Sequence, residues 1–182
     1  MRRYHPTLVV LHWLLAFMII MGLIMGGNVL SATPNTDPAK LFYLKMHMSA
    51  GMLILVLMVV RLVVRFMTAR PPHADIGSVF LDGIGVATHY LFYGVVILMA
   101  ASGLAIAKMA GLPDILFGGS GAALPASFEE FPPRMAHGVL AVVLTVLIAA
   151  HFGAFLYHQF IRKDGLFSRM WFGKRMKGKD DA

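Results

Sequence analysis

Charged residues leave four long apolar gaps along the chain. No Asp, Glu, Lys or Arg lies between Arg3 and Asp37, Lys45 and Arg61, Asp82 and Lys108, or Arg134 and Arg162. A helix that crosses a bilayer needs about 20 mostly apolar residues, whereas a membrane β-strand needs only about 10. The second gap reaches the helical length when residues 41–44 and the apolar stems of its flanking basic side chains are included. The pattern therefore predicts four membrane-spanning helices near residues 7–30, 42–65, 85–107 and 134–160.

The composition excludes the soluble classes. Of the 182 residues, 58% are hydrophobic and 14% are charged, whereas soluble domains carry about 25% charged residues. Disordered chains are poor in apolar residues and rich in charge. The first apolar run is longer than the roughly 7–15-residue core of a signal peptide, so we do not expect it to be cleaved. We expect residues 1–182 to form one transmembrane domain, an all-α integral membrane four-helix bundle.

Basic residues are distributed unequally between the two sides of the predicted bundle. Twelve lie on the side that carries both termini, and four lie on the opposite side. Because Lys and Arg favour the cytoplasmic side, we expect both termini in the cytoplasm and a basic cytoplasmic tail over residues 163–182. A net charge of +7 in this arrangement is typical of a topology signal and an anchor to anionic membrane lipid. We do not expect nucleic-acid binding.

The chain contains no cysteine. This excludes disulfides, iron–sulfur clusters, thiolate haem ligation and the covalent attachment of c-type haem. Any metal chemistry therefore depends on His, Met or carboxylate side chains. The longest predicted connection, 108–133, contains Gly118–Gly121 and Pro125. A loop of this length is either a lid or a plain linker, and the sequence leaves both open.

Four of the eight histidines form two pairs of matched depth. His12 lies 9 residues past the charged boundary of its span and His151 lies 11 residues from its own, which places them roughly 13 and 16 Å from the cytoplasmic side. His47 and His137 lie 2 and 3 residues from the basic residues that open their spans on the other side. His137 and His151 are 14 residues apart, nearly four helical turns, so both point to about the same face.

One helix therefore presents two histidines at two levels, and each has a partner on another span. Facing helices in bundle cores often build cofactor sites. Two imidazoles on opposite sides of a planar macrocycle form a bis-His haem, whose six-coordinate iron suits electron transfer because no axial position is open. Gly51, Gly138 and Gly153 follow these histidines. They either allow close approach of a flat macrocycle or serve ordinary helix packing, which also explains Gly22 and Gly26.

Several motifs together carry a resemblance to a known family. They are His12-Trp13, KMHMSAG at 45–51, LVLMVVRLVVR at 55–65, and His137, His151, His158 and Arg162-Lys163-Asp164. Over residues 4–165 the chain resembles the bacterial cytochrome b561 family, four-helix dihaem b-type proteins of the inner membrane. It is most similar to the small stand-alone members proposed to oxidise superoxide and reduce ubiquinone. The resemblance implies two haem b groups in the bundle core, with ubiquinone as acceptor.

The resemblance also assigns the axial ligands of the haem iron. His12 and His151 correspond to the ligands of the cytoplasmic haem, and His47 and His137 to those of the periplasmic haem. These are the same pairs that depth and the shared helix face indicate together.

His89 leaves an alternative open. It lies 7 residues past the last charged residue before its span, roughly 10 Å deep, so on depth it could replace His151 as the partner of His12. The face shared by the two histidines of the last span favours His151. His89, with Tyr93 one turn on, could instead bond a haem propionate or a quinone carbonyl, or make an interhelical hydrogen bond. We expect His158 to lie at the interface.

Basic residues flank the predicted haem sites. Lys45 and Arg134 lie beside the outer histidine pair, and Arg61 and Arg65 lie at the cytoplasmic end. Cations there can neutralise haem propionates and raise the haem potential, and on the outer face they could also steer an anion such as superoxide, as charged clefts do for small substrates. Snorkelling of basic side chains at helix ends is the alternative, and it is the interpretation that we favour for Arg61 and Arg65.

Three functions fit the sequence. The first is a dihaem oxidoreductase that takes electrons from superoxide on the periplasmic side and passes them to ubiquinone. The second is a cytochrome b subunit that relays electrons between quinone and a partner dehydrogenase or hydrogenase. The third is a non-redox bundle, such as a histidine-lined proton or metal transporter. The lack of Asp and Glu in the spans argues against a proton relay built on carboxylates.

Overall fold

The computed structural model describes residues 3–69 and 79–172, and within those ranges it contains helices and loops but no strand. The helices are α1 (Pro6–Ile24), α2 (Ala39–Met67), α3 (Val79–Met109), α4 (Leu112–Leu116) and α5 (Pro133–Leu156). A π-helical turn extends α1 over Met25–Leu30, another extends α5 over Tyr157–Arg162, and a 3-10 turn covers Leu166–Met170.

Four of these segments are long and apolar enough to cross a membrane. They are Pro6–Leu30, Ala39–Met67, Gly83–Met109 and Pro133–Arg162. The expected all-α membrane bundle of four helices is thereby confirmed, and the predicted spans fall inside these segments. Proline stands in the first turn of both α1 and α5, where its missing N–H would have had no partner within the helix.

The helices pack in the order α1, α2, α3, α5, each against the next. All four contribute to one buried cluster near mid-bundle, which contains Leu15, Ile54, Met58, Tyr93, Val95, Val96 and Leu144. Many other large apolar side chains of the spans are exposed, for example Phe17 at 65% and Val142 at 65%. Such an outer surface suits lipid, where close packing rather than exclusion from water holds helices together.

The end of the bundle that carries both termini, here called the terminal end, is closed by residues 166–172, the C-terminal strap. The Tyr4 N–H donates to the Arg169 carbonyl over 3.1 Å, and the Trp13 indole N–H donates to the Met170 carbonyl over 2.9 Å. Trp13 also packs edge-on against Phe167 and Trp171. The first part of the predicted basic tail therefore folds back onto α1, and its residues 173–182 lie outside the described residues.

The opposite end, here called the loop end, is covered by the connection that precedes α5. Helix α4 buries Leu112 and Leu116 against Leu44 and Ala107. The Asn35 side chain donates to the Pro125 carbonyl over 2.8 Å, which ties the connection between α1 and α2 to the connection that precedes α5. Of the two alternatives for residues 108–133, the structure favours a cover over the bundle rather than a plain linker.

Candidate cofactor-binding site

Four histidines face one another in two pairs at two levels of the bundle. The ring centres of His12 on α1 and His151 on α5 are 6.2 Å apart, with an angle of 68° between their planes. The ring centres of His47 on α2 and His137 on α5 are also 6.2 Å apart, at 74°. The structure therefore brings together both pairs that depth predicts from the sequence.

The spacing of each pair fits a metal ion held between two rings. A metal bound to one imidazole nitrogen lies about 2 Å from that nitrogen, so two opposed rings on one ion have centres roughly 6 Å apart. The part of the chain that the structure describes holds no cluster of three or more His, Cys, Asp or Glu suited to a metal. Each pair thus suits an ion whose other ligands are supplied by a macrocycle, as in bis-His haem.

Hydrogen bonds orient the ring of His137. Its Nδ1 lies 3.2 Å from the Met99 carbonyl oxygen and 2.9 Å from the Ser102 hydroxyl. A carbonyl can only accept, so this network assigns the proton to Nδ1. The unprotonated Nε2 is then the metal-binding nitrogen, because the partner of one ring nitrogen fixes which nitrogen can ligate.

Two glycines leave room for the rings of the loop-end pair. A Cβ at Gly103 on α3 would lie 3.2 Å from His137 Cε1, and a Cβ at Gly26 would lie 3.4 Å from His47 Cε1. Gly51 and Gly153 have nothing within 4 Å of such a Cβ. The glycines that leave room for the rings, Gly103 and Gly26, therefore lie on neighbouring segments and not beside the histidines in sequence.

A large cavity of about 1330 Å³ lies at the loop end, between the four long helices. Both His47 and His137 line it, and residues 122–129 of the cover form part of its wall. Cavities for drug-sized ligands are usually about 300–1,000 Å³, so this one can admit a macrocycle. Together with the ring spacing and the two glycines, it shows that the residues fit haem.

Two cations line this cavity, Lys40 and Arg134. Lys40 is 5% exposed, and its ammonium donates to the Leu30 and Thr33 carbonyls over 2.5 and 2.6 Å. Arg134 lies 3.2 Å from a carboxylate oxygen of Glu129.

Lys45, which the sequence placed with Arg134, is not among the lining residues. Its ammonium lies 5.2 Å from the centre of the Phe117 ring. Sequence reasoning missed Lys40, because spacing along one helix gives no reason to prefer it to Lys45.

The terminal-end pair has a third histidine beside it. The His89 ring centre is 6.3 Å from that of His151, nearly the same separation as that between His12 and His151. The sequence left His89 and His151 open as partners of His12, and the structure places the His151 ring against both His12 and His89. Tyr93, one turn from His89, is buried, and its hydroxyl makes no hydrogen bond within the part of the chain that the structure describes.

His158 lies farther along the last span and contacts Asp164 through its Nδ1. Burial alone would raise the pKa of Asp164. Hydrogen bonds from the His158 ring and the Leu166 N–H, together with the charges of His158 and Arg162, instead hold that pKa below its ordinary value. The contact joins the end of the last span to the C-terminal strap.

Comparison with known proteins agrees with this architecture. The family model described as prokaryotic cytochrome b561 matches residues 3–173. A protein of Yersinia pestis named probable superoxide oxidase CybB is 28% identical over 180 residues, which covers 96% of this chain and 98% of the relative. Cytochrome b561 homolog 1 of Escherichia coli K12 is 27% identical over 173 residues, which covers 93% and 97%. The chain therefore belongs to the prokaryotic cytochrome b561 family, whose membrane cytochromes bind haem b and transport electrons.

Proposed function

We propose that this protein carries two haem b groups and transfers electrons between superoxide on the periplasmic side and ubiquinone in the inner membrane. The observation that carries the proposal is the pair of ring separations, 6.2 Å for His12 with His151 and 6.2 Å for His47 with His137. In this proposal the terminal end faces the cytoplasm, as the distribution of Lys and Arg favours.

Each bound haem b would supply a one-electron couple at its level of the bundle. The four imidazoles would fill both axial positions, which closes the iron to other ligands. The Met99 carbonyl and the Ser102 hydroxyl hold His137 in the ligating tautomer. The C-terminal strap covers one end of the bundle and residues 122–129 cover the other, so both limit the access of water.

Superoxide as donor is supported by the charge at the loop end and by the name of the Yersinia relative. Arg134 lines the cavity and Lys45 lies outside it over Phe117. We propose that both draw a small anion toward this end, and Lys40 adds a third cation. Positive clefts raise the rate of anion capture in a way that falls with ionic strength. Replacing Arg134 and Lys45 together by Gln should lower both the rate and its dependence on salt.

For the acceptor side, we propose that His89 and Tyr93 bond a haem propionate or a quinone carbonyl. His89 lies against His151, and Tyr93 is buried one turn away.

The separation of His137 and His151 along α5 is about 21 Å, so the two levels of histidine pairs lie near opposite ends of the bundle.

The proposal is tested by stopped-flow absorbance of purified protein mixed with superoxide, with and without ubiquinone. We expect reduced b-type bands to form and then to decay when ubiquinone is present. His12→Ala and His47→Ala should each remove one haem and leave the other. If the purified protein contains two haems but superoxide does not reduce them, the alternative is favoured, namely a subunit that relays electrons between quinone and a partner dehydrogenase or hydrogenase. Protein without reducible haem would overturn the proposal.

A further inference from the structure

Arg61 places a positive charge inside the bundle at the terminal end. Its Nη1 donates to the Leu8 carbonyl of α1 over 2.7 Å. Leu8 lies one helical turn before His12 on α1, so this hydrogen bond places the guanidinium close to the terminal-end pair. The sequence favoured snorkelling for Arg61 and Arg65. In the structure Arg61 is half-buried and bonds to the first turn of α1, and Arg65 is only 7% exposed.

A cation in this position needs an anion. Charged groups within a membrane span are costly unless they are paired. Of the carboxylates whose side chains the structure describes, Asp164 is engaged by His158 and Arg162, and the others lie at the loop end. In the described part of the chain, the ionisable neighbours of Arg61 include Tyr93, Arg65 and Tyr4, none of which is a carboxylate.

We propose that Arg61 binds a propionate carboxylate of the haem held by His12 and His151, and thereby raises the reduction potential of that haem. This inference rests on the proposed function. A guanidinium offers a planar fork that matches a carboxylate with two parallel hydrogen bonds. The bond to Leu8 uses one of its five N–H donors and fixes the plane of the rest.

The sign of the effect follows from charge. Reduction adds one negative charge to the haem, and a fixed cation in a low-dielectric interior stabilises that reduced form. Without Arg61, the ionised propionate would instead favour the oxidised form. A higher potential at the terminal end makes the movement of one electron from the loop end toward the terminal end more favourable. Arg61 would then be a positioning residue that favours electron transfer from the loop-end haem to the terminal-end haem.

The test is a potentiometric titration of the purified holoprotein with its two haems. His12→Met changes an axial ligand and therefore identifies the terminal-end wave. We expect Arg61→Gln to lower the equilibrium constant for reduction of that haem about tenfold, which lowers its reduction potential by about 59 mV for one electron. The reduction potential of the loop-end haem should not change. Lys108→Gln is the matched control, because it removes one exposed cation from the loop end and should not move the terminal-end wave.

A second experiment removes the proposed partner instead. When the haem is replaced by its dimethyl ester, no carboxylate is left to bind, so the shift caused by Arg61→Gln should contain only the loss of the guanidinium charge. Arg61→Lys keeps the charge without the fork, so it should give a smaller shift with free-acid haem and none with the ester.

If Arg61→Gln binds two haems and the potential of the terminal-end haem is unchanged, the inference is overturned and the proposed function still stands. If Arg61→Gln does not accumulate, an Arg61→Lys protein that matches wild type with both haem forms overturns it equally. Absence of two haem waves in the wild type would overturn the proposed function itself.

Discussion

The fit of Gly103 against His137 gives a quantitative test of the loop-end site. A Cβ at position 103 would lie 3.2 Å from His137 Cε1 and 3.6 Å from its Nδ1. Carbon atoms pack best at about 3.5–4.0 Å, so the first contact is too short by at least about 0.3 Å. The ring cannot yield freely, because the Met99 carbonyl and the Ser102 hydroxyl hold its Nδ1.

Overpacking of this kind costs about 1–3 kcal/mol. If the ring is pushed from its ligating position by that amount, binding of the loop-end haem should weaken by about 5–150-fold. The terminal-end pair lies on another level and should keep its haem. Replacing a helical glycine by alanine also favours the helix by as much as about 1 kcal/mol, which acts in the opposite direction.

Gly94→Ala separates the two effects. Gly94 is on the same helix, and a Cβ there would have nothing within 4 Å, so this variant gains the helical preference without the clash. We would measure haem content and reduced-minus-oxidised spectra for Gly103→Ala, Gly94→Ala and wild type. The expected result is loss of the loop-end haem in Gly103→Ala alone. Full retention of both haems with unchanged potentials in Gly103→Ala would refute the reasoning, as would equal loss in Gly94→Ala.

Three further predictions address single contacts. Ser102→Ala removes one partner of the His137 Nδ1 and should weaken retention of the loop-end haem about 10–100-fold, measured by haem loss on dilution; unchanged retention would contradict this. Lys40→Met removes two bonds to carbonyls and should lower the free energy of unfolding in detergent by about 1–3 kcal/mol; an unaltered denaturation curve would count against it. Because the pKa of Asp164 is lowered, its contribution to stability is present above the ordinary Asp pKa, near 3.9, and is lost as pH falls through the lower folded value. Fluorescence of the strap residue Trp171 should report that loss in wild type, whereas Asp164→Asn should show the acid signal at neutral pH.

Position along a helix axis was the part of the site that the sequence could predict. Charged residues mark where each span meets water, and a constant rise per residue converts sequence distance into depth. For this reason depth pairs His47 with His137, and depth together with the helix face shared by His137 and His151 pairs His12 with His151 rather than with His89. Their role as haem ligands remains a prediction that the proposed experiments test.

Rotation about the helix axes and the order of neighbours could not be predicted in the same way. Lys40 and Lys45 are both basic residues early in α2, yet only Lys40 lines the cavity. Arg61 stands where a snorkelling residue is expected, and its inward turn depends on the Leu8 carbonyl of another helix. Gly103 is far in sequence from the ring that it accommodates. Each of these features depends on which helices become neighbours, which spacing within one span does not encode.

Helix α5 contributes one histidine to each pair, and it is the last of the four spans to be synthesised. The first three spans carry His12 and His47 but no partner for either in the proposed ligand set. With that ligand set, neither proposed haem would gain its second ligand until α5 has entered the membrane, seconds after α3 at translation rates of about 5–20 residues per second. Cofactor loading would then report that α5 has been inserted. A nascent or truncated product that lacks α5 would lose both redox centres at once, so a half-loaded, one-haem chain should not arise from interrupted synthesis.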